Sequence, residues 1–163
     1  MGSEMCIRDS PCPKSFVTSL VRVEGTTSRE KTIVWDWLSR KDTFTKGQLP
    51  PYRVEFFDDD DPFFHEGTYN NHHGPFLHLP AYVTEMKKEE FREMRYLYGS
   101  YVLGFVVIRP TALKIFLEES NDQTKVVVEL HAHVRPIIKK IWERMNHFFW
   151  NRFFFPYLNK ITA

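Results

Sequence analysis

Leu113-Lys-Ile-Phe-Leu-Glu-Glu119, a turn at Asn121-Asp122, and Lys125-Val-Val-Val-Glu-Leu-His-Ala-His-Val-Arg-Pro136 decide the fold of this chain. In an extended strand, residues two apart share a side. Leu113, Ile115 and Leu117 therefore oppose Lys114, Phe116 and Glu118. In the second half, Val126, Val128, Leu130, Ala132 and Val134 oppose Val127, Glu129, His131 and His133. One apolar face and one polar face predict a half-buried antiparallel hairpin. Pro136 closes it and suits the first turn of a helix, where its missing N–H costs nothing. Ile137, Ile138, Ile141, Trp142, Met145, Phe148, Phe149 and Phe153 then recur on one broad stripe, with Lys139, Lys140, Glu143 and Arg144 opposite. Beyond His147 the outer side also turns aromatic, with Trp150 and Phe154, and Pro156 should kink or end this helix.

Upstream, residues 15–24 alternate and are rich in β-branched side chains, which predicts a first strand. Thr27-Ser-Arg-Glu30 has the spacing of a capping box. The helix after it should place Ile33, Val34, Trp37 and Leu38 on one face and end near Arg40. Residues 41–52 fit a loop or a second short helix, and residues 53–57 a strand. The acidic run Asp58 to Asp61 before Pro62 is a turn that lacks the alternating oxygens and glycine of a calcium loop. Residues 76–85 align Leu77, Leu79, Ala81 and Val83, and residues 91–99 align Met94, Tyr96 and Tyr98. Residues 101–108 are apolar on both faces, and Arg109-Pro110 should break them. Strand, helix, a run of antiparallel strands and one long amphipathic C-terminal helix make an α+β domain.

The chain has 163 residues and a net charge of +1. Back-translated, Met1 to Ser10 resembles a sequencing-library adapter, so residues 1–10 are expected to be non-native and residues 11–163 a single domain. Setting the segment aside removes one base and two acids from totals of 22 and 21 and moves the balance to +2. So even a balance excludes the electrostatic footprint of a nucleic-acid binder. Only Cys12 remains as a thiol, so no disulfide framework or cysteine zinc site is expected, and a cytoplasmic location is the default. No apolar stretch reaches the roughly 20 residues of a transmembrane helix. Aromatic residues form 16% of the chain, enough to pack a large core or to line a cavity.

Two stretches carry a family resemblance: Val21-Arg-Val-Glu-Gly25 through Val34-Trp-Asp-Trp-Leu38, and the Leu113 to Pro136 hairpin leading into the last helix. The pattern resembles the START-related, polyketide-cyclase-like superfamily (SRPBCC). That resemblance implies a helix-grip fold, a curved antiparallel sheet wrapped around a long C-terminal helix with a hydrophobic cavity between them. It further implies binding of lipids, polyketides or similar molecules, with a minority of members performing chemistry. The run from Phe63 to Tyr82, rich in histidine, is less typical of the pattern.

The expected cavity wall comprises Met94, Tyr96, Tyr98, Leu113, Leu117, Val128 and Leu130, with Trp142, Met145 and Phe149 from the helix. A filled core without a cavity is the competing reading. His72, His73 and His78 are candidate acid/base residues for a cyclase- or dehydratase-like enzyme. An inward cluster bonded to a carboxylate would favour that reading, and solvent-facing rings would count against it. His131 and His133 share a strand face but sit with Glu129 and Arg135, so no metal site and no cofactor are expected. The aromatic end, residues 148–157, is a candidate homodimer contact, a lid, or a surface for a partner or membrane. That interaction reading requires Trp150 and Phe154 to be exposed.

Overall fold

A computed structural model describes residues 11–46, 51–57, 61–104, 106–120 and 122–161. The segment 1–10, Asp58 to Asp60 of the acidic turn, and Asn121 lie outside the described residues. The chain runs β1 (Val17–Thr27), α1 (Lys31–Ser39), α2 (Lys41–Lys46), β2 (Arg53–Phe56), β3 (Tyr69–Gly74), β4 (Leu77–Lys87), β5 (Phe91–Tyr96), β6 (Tyr101–Val102), β7 (Ile108–Ser120) and β8 (Gln123–Val134). A 3₁₀ turn (Pro136–Ile138), α3 (Lys139–Phe149), a π turn (Trp150–Phe154) and α4 (Phe155–Ile161) complete it. The sheet is antiparallel, in the order β1-β8-β7-β5-β4-β3-β2, with β6 pairing β4 and β7.

The β7–β8 hairpin forms as read, with Leu113 opposite Leu130, Ile115 opposite Val128 and Leu117 opposite Val126. On its other side β8 pairs β1, so Val21, Val23 and Gly25 extend the same apolar rows. Val21, Val23, Ile115, Leu117, Val126, Val128 and Leu130 pack with Val34, Trp35, Leu38, Phe155 and Leu158 into the main core. The opposite face carries charge: Arg22 meets Glu129 at 2.7 Å and Lys125 meets Glu24 at 2.6 Å.

Several local expectations are corrected. Thr27 stays in the ladder opposite Thr124, so the capping box does not form. Its hydroxyl instead accepts from the Arg29 N–H, and α1 starts at Lys31 without a side-chain cap. The α1 face is rotated accordingly: Val34, Trp35 and Leu38 are buried and Ile33 is exposed. Trp37 is turned toward the rings of Phe44, Phe154 and Tyr157. Pro110 does not break its strand, because a bulge between Pro110 and Ala112 absorbs the missing donor. β3 was not anticipated, since Tyr69-Asn-Asn-His-His-Gly74 has no apolar alternation. It is a strand because β2 and β4 bracket it.

Pro156 does not end the helix either. It lies in the first turn of α4, after the π turn has already interrupted the regular hydrogen-bond ladder. The predicted stripe on α3 is also misplaced. Trp142, Trp150 and Phe154 pack against the main core, whereas Ile137, Ile141, Met145, Phe148, Phe149 and Phe153 are exposed.

Phe155 can reach the sheet because residue 25 has no side chain. A Cβ built on Gly25 would lie 2.4 Å from Cδ1 of the Phe155 ring. Gly25→Ala is therefore expected to destabilise the fold by about 1–3 kcal/mol through forced displacement of that ring. Equilibrium unfolding in urea measures it, and an unchanged midpoint would show that the contact is not needed.

Candidate functional site

Strand register divides the concave face into two parts. Over β1, β8 and β7 it is closed by Trp142, Trp150, Phe154, Phe155 and Leu158. Beyond β7 the same face continues through Met94 opposite Leu113, Val83 opposite Met94 and Ala81 opposite Tyr96. It continues through Asn70 opposite Ala81, His72 opposite Leu79, and Val54 and Phe56 of β2. This second part is an apolar wall interrupted by Arg92, Tyr96, Asn70 and His72.

Each polar group is held by strand geometry. Arg92 and Tyr96 lie four residues apart on β5, on the side that also carries Met94. Arg92 Nη1 donates to the Leu38 carbonyl at the end of α1. Its guanidinium lies over the rings of Phe64, at 4.4 Å, and Phe44, at 5.7 Å. Asn70 is 0% exposed; its amide N–H donates to Met94 Sδ at 3.2 Å, and its Oδ1 has no partner. The buried indole nitrogens of Trp142 and Trp150 are likewise unpartnered.

Burial dominates the electrostatics. It lowers the His72 imidazole to about 4, with the charges of Arg92 and His73 adding to the effect. It lowers Arg92 to about 10 and pushes the Tyr96 phenol well above its ordinary value. His72 is accordingly neutral at pH 7 and able to accept or donate one hydrogen bond. Yet His72 and Tyr96 both keep some accessible surface.

The residues read from sequence divide sharply. Met94, Tyr96, Leu113, Leu117, Val128 and Leu130 all face the concave side; Leu117, Val128 and Leu130 belong to the closed core, and Tyr96 and Leu113 pack against it. Trp142 packs on that core, while Met145 and Phe149 stand 63% and 51% exposed on the flank of α3. Tyr98 is not on the wall: β5 ends at Tyr96, the chain turns at Gly99, and Tyr98 is 72% exposed beside Arg109.

The histidine trio also separates. His72 points inward, whereas His73 lies outside at 3.3 Å from Glu55 and His78 lies outside against the Tyr101 ring. Period-two alternation makes that split unavoidable for adjacent residues 72 and 73. His131 and His133 are on the outer face, as read, with His131 3.6 Å from Glu129. Among the described residues no three His, Cys, Asp or Glu side chains converge as metal ligands. No described helix is long and apolar enough to cross a membrane. Arg92 and Asn70 escaped the sequence reading. Arg92 was legible, being two residues before Met94; Asn70 gave no signal without β3.

No protein-family model matches the chain, and no curated protein matches it in sequence. Solved structures do match in fold. Norcoclaurine synthase from Thalictrum flavum, in complex with dopamine and hydroxybenzaldehyde, is similar with a TM-score of 0.64 and 16% identity, over 90% of this chain and 87% of that one. Ara h 8.0201 is similar at 0.60 and 11%, covering 90% and 98%. Protein Mll3558 from Rhizobium loti is similar at 0.59 and 16%, covering 82% and 92%. The chain has the helix-grip fold of the SRPBCC and Bet v 1-like proteins.

His72 should make stability depend on pH. Its folded value lies below its unfolded value of 6.5, so its contribution is fully present above pH 6.5 and is lost as pH falls toward 4. The loss is at most about 3 kcal/mol, because residual solvent contact reduces it. His72→Gln is expected to flatten the unfolding free energy between those limits, and an unaltered pH profile would place the ring in solvent.

Proposed function

We propose that this protein binds a hydrophobic small molecule between the β5–β4–β3 wall and the Met145 and Phe149 flank of the C-terminal helix. The carrying observation is the pair His72 and Tyr96, buried deeply enough to perturb their titration yet still touching accessible space. Leu79, Leu113, Met145 and Phe149 provide apolar surface that is not fully covered. A mostly apolar recess with a few directional polar groups is the usual constitution of a small-molecule site. The presence of two aromatic molecules in norcoclaurine synthase supports this use of the fold.

Catalysis of the cyclase or dehydratase type is the less favoured reading. The neutral, inward His72 suits a general base. Its neighbour Glu55, however, faces His73 on the opposite side of the sheet, so no inward histidine–carboxylate pair forms among the described residues. The interaction reading built on Trp150 and Phe154 loses those residues to the core. A homodimer contact, if formed, would use the outer line of Ile137, Ile141 and Phe148 instead.

Two outcomes follow. Wild-type protein should bind the neutral fluorophore 1-aminoanthracene at one site, and Leu79→Trp should weaken binding by more than about tenfold while leaving the far-ultraviolet circular dichroism intact. Undiminished binding to that variant would move the site elsewhere. For the dimer, light scattering after size exclusion should show a concentration-dependent mass that Phe148→Glu returns to the monomer; a monomer at every concentration would remove the contact.

A further inference from the structure

Among the described residues Arg92 is a nearly buried cation without an anion. Its one hydrogen bond among the described residues goes to a neutral carbonyl, that of Leu38. Aromatic rings cover two of its approaches, and burial lowers its affinity for the proton with Tyr96 as the other influence. Elsewhere the guanidinium groups of Arg22, Arg40 and Arg95 meet Glu129, Asp42 and Glu93 at 2.7–3.1 Å. A guanidinium carries five N–H donors, and a buried charge left unpaired is costly. One carbonyl does not answer that demand.

The surroundings supply further unanswered groups. Among the described residues the Tyr96 hydroxyl and the His72 ring make no hydrogen bond, and Asn70 Oδ1 is fully buried without a partner. They come from β5 and β3 and converge on one side of the sheet, where the charge of Arg92 acts on both His72 and Tyr96. Donors outnumber acceptors there. Leu79, opposite His72, and Leu113, opposite Met94, place partly covered apolar surface on the same side.

We propose that the ligand is an amphipathic carboxylic acid, its apolar body on Leu79 and Leu113 and its carboxylate held by Arg92 and Tyr96. The planar guanidinium matches a carboxylate edge to edge, and Tyr96 adds one donor from the same strand. His72, neutral, contributes an N–H without adding charge. The inference deepens the binding function above and rests on it. The competing role for Arg92 is purely architectural, as a donor to the last turn of α1.

Paired probes with one apolar body separate these roles. Fluorescence titration of the full chain with 1-pyrenebutanoate and 1-pyrenebutanol should show the acid binding at least about tenfold tighter. Arg92→Gln keeps an N–H for Leu38 and removes the charge, and it should abolish the preference for the acid while retaining the alcohol. Tyr96→Phe should reduce the preference without touching α1, so it tests the proposal even if Arg92→Gln fails to fold. Equal affinities for the two probes, or a preference indifferent to both variants, would overturn the carboxylate assignment and leave the recess standing. Failure of both probes to bind would overturn the binding function and the carboxylate assignment together.

Discussion

The structure turns on one close approach, that of the Phe155 ring to Gly25. Gly25 lies in the β1–β8 ladder opposite Val126, so the ring meets the backbone of the sheet rather than a side chain. Leu158 and Phe155 complete the burial there, and Trp150 and Phe154 reach the same core through the π turn. The C-terminal helix is thereby held against β1 and β8. Held there, it does not pack down over β5, β4 and β3.

Charge is distributed to match. The convex face carries paired ions, among them Glu129 with Arg22 and Glu93 with Arg95 and Lys114. Arg22 and Arg95 keep contact with water, whereas the Glu93 side chain is only 8% exposed and is held between two cations. The concave side carries few polar groups, and those it has are not paired with one another. In low dielectric such groups interact strongly with anything that reaches them. Their scarcity makes each one informative about a ligand, whereas the many surface charges are not.

The strands of the main core were legible because their alternation is strict. Leu113, Ile115 and Leu117 have no other way to share a face, and the same holds for Val126, Val128 and Leu130. β3 was not legible, because its side chains are polar on both sides and its pairing comes from β2 and β4. The site suffered most from that gap: His72 and Asn70 both sit on this strand. His72 was singled out for its chemistry, but its separation from His73 and His78 needed the strand. Tyr98 was placed on the wall by extending the alternation past Tyr96, where Gly99 in fact turns the chain.

The C-terminal helix marks the same boundary from the other side. Its aromatic richness and amphipathic period were properties of sequence, and so was its position after Pro136. Which aromatics face the core was decided by the π turn and by the seat at Gly25, a contact between residues 130 apart in the chain. Sequence by itself determined the β7–β8 hairpin, the α+β order of elements and the apolar character of the inner face, because each follows from local periodicity. Tertiary structure alone decided that Arg92, Tyr96, Asn70 and His72 share the concave side of the sheet, because strand register is a relation between distant segments that no local pattern encodes.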